Sequence, residues 1–179
     1  VVGHVHKHAA CGIDVGVAVP LTVVSIDCVV KTTGRKFKEQ LAKKELRRKH
    51  YQRIHARKMK GSSNRNKARK QLARSYRNEA NHRSDFNHKC STKVAKIFHT
   101  VVVEDLKIRN MTRSAKGTIE EPGTNVAQKT GLNREILRIG WGQFVGMLAY
   151  KTEKYGGQLV KVNPRYTSQT CSDCGTIDK

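Results

Sequence analysis

Apolar residues gather at the two ends of this chain, and the long stretch between them is mostly polar. Residues 10–30, ACGIDVGVAVPLTVVSIDCVV, are β-branched, punctuated by glycine and broken near Pro20. That pattern predicts two adjacent strands. In the first, Ile13, Val15 and Val17 alternate with Asp14, Gly16 and Ala18, so Asp14 faces away from the apolar side. Residues 36–98 predict two long helices, with Leu41, Leu46 and Ile54 on the inner face of the first. Leu72, Tyr76, Phe86, Val94 and Ile97 do the same for the second. KGSSN (60–64) breaks them and offers an N-cap at Ser63 or Asn64. Two helices of about 25 residues, each roughly 37 Å long, would form an antiparallel hairpin with one narrow apolar seam. TVVVEDL (100–106) predicts a strand buried on both faces, as in a parallel sheet. A Gly/Thr/Ser-rich loop up to Gly131 precedes a helix from about Asn133 to Tyr155. Ile136, Ile139, Trp141, Phe144, Met147 and Leu148 point inward on it. GGQLVKVN (156–163) closes with a further strand, so the fold class is a mixed α/β sheet interrupted by a helical hairpin.

Charge changes this picture most in the hairpin. The chain carries a formal +22, from 36 Lys and Arg against 14 Asp and Glu. Seventeen of those cations lie between Lys31 and Lys70, against only Glu39 and Glu45. Such a field attracts polyanions, nucleic acid first among them. The residues expected to track phosphates are Lys43, Lys44, Arg47, Arg48, Arg57, Lys58, Arg65, Lys67, Arg69 and Lys70. Neutralising about 8 phosphates would weaken binding roughly ten-thousand-fold between about 50 and 200 mM salt. Aromatic residues among these cations are few, so base stacking contributes little. The chain holds no run of 18 apolar residues, which excludes a membrane span. Three scattered cysteines (Cys11, Cys28, Cys90) read as small core residues rather than a disulfide framework, pointing to a reducing intracellular setting.

Two constellations could carry chemistry. Asp14 and Glu104 are acids at apolar strands, where a charge without a partner is costly. Glu104 follows three valines and so ends its strand, where open α/β sheets place their sites. Gly16 beside Asp14 would leave room for a substrate or an ion. Converging carboxylates can hold divalent metal, and metal pairs catalyse in-line attack on phosphodiesters. Asp105 reads as a cap or surface acid on the opposite face. Cys171 and Cys174 have the spacing of half a tetrahedral zinc site. The alternating histidines of HVHKHA (4–9) lack a nearby carboxylate or cysteine and are set aside as a metal site.

GIDVG, a basic helical hairpin, VVVEDLKIRNM, GWGQFVGMLAYKTEKYGG and VNPRYTSQTCSDCG occur here in that order. This succession resembles the TnpB (OrfB) family encoded by insertion sequences. The resemblance implies an RNase H-like, RuvC-type nuclease core over 10–165, with the hairpin inserted at 36–98. It also implies a truncated zinc ribbon over 166–179 and a poorly matching leader over 1–9. Asp14 and Glu104 would match the first two catalytic carboxylates, holding Mg2+ or Mn2+. Cys171 and Cys174 would match the first knuckle of the ribbon, with Zn2+ in the complete ribbon. DNA and a guide RNA are the implied partners, and the prokaryotic cytoplasm or nucleoid the implied location. In relatives a second Cys-x-x-Cys and a third acid follow; no counterpart precedes Lys179. The expectation is therefore a chain incomplete at both ends. Its parent would be a metal-dependent DNA endonuclease, and the chain alone would be inactive. The alternative is a non-catalytic nucleic-acid-binding remnant that acts through its hairpin.

Overall fold

A computed structural model describes residues 4–25, 29–30, 34–165, 174 and 176. In chain order the elements are β1 (His8–Asp14), β2 (Thr22–Val24), β3 (Val29–Val30), α1 (Arg35–Arg57) and α2 (Ser63–Ile97). Then follow β4 (Phe98–Glu104), α3 (Ile108–Met111), α4 (Val126–Ile139), α5 (Trp141–Lys154) and β5 (Gln158–Val162). Among the described residues the strands form one mixed sheet of order β3-β2-β1-β4-β5. β1 is antiparallel to β2 and parallel to β4, which is parallel to β5. The expected pair of strands in 10–30 is thus three, and β1 starts at His8, before the expected start of the core.

One face of the sheet makes the core. Cys11, Ile13, Val23, Val101 and Val103 pack against Val94 of α2 and Phe144 and Leu148 of α5. The other face, carrying Gly12, Val24 and Val160, stays open. Val102 lies on that open side and is only half-buried, which corrects the expectation of a strand buried on both faces. Helices cover only one side of it among the described residues, so three consecutive valines here do not mean two-sided burial.

The hairpin fills the expected span but divides it unequally and is less apolar than its pattern implies. α2 runs for 35 residues. Its cap is Ser62, whose hydroxyl accepts from the Arg65 amide at 3.2 Å, rather than Ser63 or Asn64. Near the sheet, Phe37 stacks on Phe86 with centroids 4.0 Å apart. Farther out, Leu46 and Tyr76 are exposed rather than in a seam. Polar links take over there: the Gln52 amide donates to the Tyr76 hydroxyl at 2.8 Å, and the Arg48 guanidinium meets Glu79 at 2.9 Å.

The expected helix 133–155 is two helices. α4 begins seven residues earlier, inside the expected loop, and ends at Gly140, whose φ of 80° lies in the left-handed region. The buried Asn87 amide of α2 donates to the Ile139 carbonyl, left orphaned at the end of α4, at 3.4 Å, and to the Gly140 carbonyl, which also accepts the Phe144 amide, at 3.3 Å. α5 is fastened to α2 by buried Lys151, whose ammonium donates to His88 O, Ser91 Oγ and Thr92 Oγ1, each at 2.8 Å. Desolvation holds that lysine's pKa below its ordinary value.

Candidate functional site

β1 and β4 bring the two acids together. Their parallel register pairs Gly12 with Val102 and Ile13 with Val103. The next residue on each strand is its last, Asp14 on β1 and Glu104 on β4. The two therefore stand side by side on strands about 4.8 Å apart, at their carboxyl ends and on the open face. Asp14 is exposed and Glu104 half-buried. Across the sheet Asp14 pairs with Thr22 and Glu104 with Val162, so neither flanking position carries a charge. Alternation around Ile13 gave the face of Asp14; the face of Glu104 and the adjacency of the two acids come from the long-range register.

A cavity of about 270 Å³ opens beside Glu104. Val15, Leu106 and Trp141 wall it, and Gly142 and Gly146 of α5 leave its rim low. Asp105 also borders it, but it is engaged: Lys107 donates to it and Lys161 lies 3.9 Å away. The Lys107 hydrogen bond comes first in holding the Asp105 carboxyl below its ordinary pKa. Gly16 has a structural cause: a Cβ there would lie 2.8 Å from the Val19 carbonyl oxygen. The turn after β1 needs the glycine, whether or not a ligand approaches.

The ten expected phosphate-tracking cations divide into two groups. Lys43, Arg47, Arg57, Lys58, Lys67, Arg69 and Lys70 are exposed, and Lys44 is half-buried. Arg48 and Arg65 instead hold the hairpin together. Arg48 is largely buried between Glu79 and the Tyr76 ring, whose centroid is 5.1 Å away. Burial opposes its charge, but Glu79 prevails and holds its pKa above the ordinary value. Arg65 donates to the Lys58 carbonyl at 2.7 Å and the His55 carbonyl at 3.3 Å, closing the end of α1. Glu45 anchors the other side, with Lys49 at 2.9 Å and Arg138 of α4 at 3.4 Å. The Lys49 hydrogen bond and the Arg138 charge hold its pKa low against burial. In the sequence every cation of the run looks alike; the glutamate that claims Arg48 lies on another helix, and Arg65 is claimed by backbone carbonyls at the end of α1.

The remaining metal candidates are less complete. Cys171 and Cys28 lie outside the described residues. Cys174 is exposed, its Sγ 3.2 Å from Thr176 Oγ1. His4, His6 and His99 cluster with centroids 4.9 and 5.3 Å apart, and burial, then charge repulsion, lowers the His6 pKa. Among the described residues no group of three or more His, Cys, Asp or Glu is arranged to hold a metal. Cys11 is buried, and burial pushes the Cys90 thiol up to about 11, so both behave as small core residues. No described helix is long and apolar enough to cross a membrane.

The fold is similar to that of chains in CRISPR-Cas12f complexes of known structure. A chain of a CRISPR-Cas12f ternary complex aligns over 98% of this chain and 33% of its own, with a TM-score of 0.64 and 22% identity. A Cas12f1 chain solved with sgRNA and target DNA aligns over 94% and 39%, with a TM-score of 0.61 and 19% identity. At such identities the likeness establishes the fold alone.

Sequence relationships go further. The OrfB_IS605 family, described as a probable transposase, matches residues 4–115, and the Cas12f1-like, TNB domain matches residues 141–179. The chain belongs to the OrfB_IS605 family. It is 43% identical over 176 residues to InsQ of Escherichia coli (strain K12), provisionally named an RNA-guided DNA endonuclease. It is 34% identical over 174 residues to a protein of Streptomyces pristinaespiralis with the same provisional activity. This chain spans 42% and 37% of the lengths of those two relatives.

Proposed function

We propose that this chain is the larger part of a RuvC-like nuclease core from a transposon-associated, RNA-guided DNA endonuclease. The observation that carries this reading is the β1–β4 register, which sets Asp14 and Glu104 beside each other at the carboxyl ends of adjacent parallel strands. The donor set suits the proposed cofactor. Carboxylate oxygens are hard ligands, and Mg2+ is held by one or two of them while keeping its waters and binding substrate phosphate. Asp14 and Glu104 would hold Mg2+ or Mn2+ jointly, their shared face fixing both oxygens before any substrate arrives. When bound, the ion supplies charge stabilisation at the phosphodiester and an activated water. The open face leaves Asp14 and Glu104 accessible to a scissile strand, and Glu104 also borders the cavity walled by Trp141 and Leu106 on the α5 side. The exposed hairpin cations supply backbone affinity and leave sequence to be read by a guide RNA.

Two carboxylates grip a divalent ion less firmly than three, so a site made of Asp14 and Glu104 alone would cleave slowly or not at all. Cys171 and Cys174 supply two of the four thiolates a structural Zn2+ site needs. A second reading is a nucleic-acid-binding remnant without catalysis, acting through the exposed cations of the hairpin. Manganese titration followed by electron paramagnetic resonance separates the two. The nuclease-core reading expects one site, lost in Asp14→Ala and in Glu104→Ala and kept in Asp105→Ala. Equal binding by all four proteins supports the remnant.

A further inference from the structure

The flank of the hairpin away from its salt bridges contains a recess. Lys44, Arg47 and Tyr51 of α1 face Gln71, Arg74 and Asn78 of α2 across a notch of about 140 Å³. Both triplets have the i, i+3, i+7 spacing that keeps residues on one helix face. Its floor is Ser75, a buried small side chain whose hydroxyl turns back to the Leu72 carbonyl at 2.7 Å. A larger residue there would fill the recess.

The charge inside is uncompensated. No carboxylate lines the notch, and Lys44, Arg47 and Arg74 form no salt bridge among the described residues. The hairpin acids Glu45 and Glu79 are committed to Arg48, Lys49 and Arg138. Three cations held around one recess, in a chain of net +22, repel one another until an anion enters. The recess is about the size that holds a single benzene ring, ~150 Å³. It admits one compact group. Two guanidiniums on opposite walls match a phosphate, which they can grip by charge-assisted hydrogen bonds, and the Gln71 and Asn78 amides add neutral donors.

We infer that this notch seats one backbone phosphate of a nucleic-acid strand, held between Arg47 and Arg74 with Lys44 behind. The inference rests on the proposed nucleic-acid-binding role of the hairpin and adds to it a fixed anchor point, partly built from Arg74, which lies beyond the densest basic run. Elsewhere on the hairpin cations meet phosphates through solvent; here the strand is fixed in position.

The test is fluorescence anisotropy of the full chain with fluorescein-labelled single strands of 20 nucleotides, one RNA and one DNA, over a salt series. Arg47→Gln/Arg74→Gln is expected to lower affinity at least tenfold and to reduce the slope of log K against log salt by about 0.7, one single-strand phosphate. Arg53→Gln/Lys60→Gln removes the same charge from exposed hairpin positions and is expected to change affinity less than threefold. Gln71→Trp keeps every charge but fills the notch, and is expected to reproduce the tenfold loss. A loss seen with only one of the two strands identifies the source of the phosphate. If the notch pair matches the control pair and Gln71→Trp binds normally, the notch is overturned while hairpin binding stands. If the unaltered chain shows no salt-dependent binding, the hairpin reading and the notch fall together.

Discussion

The sheet edge and the outer hairpin are built on opposite terms. At the edge, two acids are placed by backbone pairing over a buried core: Val101 and Leu148 are wholly inaccessible beneath them. In the outer hairpin the helices touch through an ion pair, an amide–hydroxyl bond and small side chains, while Leu46 faces water. Position at the edge is dictated by the fold and tolerates little change. On the hairpin most cations only need to be present, and the few that need exact positions are those the helices themselves hold. Mutation at the sheet should therefore be felt as stability, and mutation of the exposed hairpin cations as binding.

The sharpest contrast is in the core. Leu148→Ala removes a fully buried side chain and is expected to cost about 2–5 kcal/mol, whereas Leu46→Ala should stay within about 0.5 kcal/mol; urea unfolding measures both. Next comes the junction of α4 and α5. Gly140→Ala places a Cβ at positive φ, 2.7 Å from Arg83 Cδ, and should cost about 2 kcal/mol by the same measurement. Glu79→Ala leaves the largely buried Arg48 guanidinium with only Glu45, 3.9 Å away, as an acidic partner and should cost about 1–2 kcal/mol, while leaving the Mn2+ site unchanged. The smallest effect is in pH. The folded Glu45 pKa lies below the ordinary 4.5, so its contribution is complete above that value and is lost as pH falls through the folded pKa. Melting temperatures between about pH 3 and 6 should fall less steeply for Glu45→Gln than for the unaltered chain.

Much of the sheet edge was legible because its information is local. Alternation around Ile13 set the face of Asp14, and three valines before Glu104 set its place at a strand end. The pairing of strands ninety residues apart has no local signature; two acids at apolar strands suggested convergence, and the resemblance added to it. Gly140 was passed over because the apolar spacing runs on through Ile136, Ile139, Phe144 and Met147 as if one helix continued. Only Asn87, fifty residues earlier in the chain, exposes the break by bonding to the carbonyls on either side of it. The division of the cations was equally hidden, since Arg47 and Arg48 are neighbours in sequence and opposite in role. Arg47 borders an uncompensated recess, while Arg48 is claimed by a glutamate 31 residues away.

Joint possession of one cation by Asp14 and Glu104 can be read directly from their carboxyl carbons. In a chain carrying 13C at its aspartate and glutamate carboxyls, substoichiometric Mn2+ should broaden the Asp14 and Glu104 resonances together and leave Asp85, in its surface pair with Lys89, sharp. Broadening of one without the other, or of neither while Asp85 responds, would contradict a shared site at the end of β1 and β4.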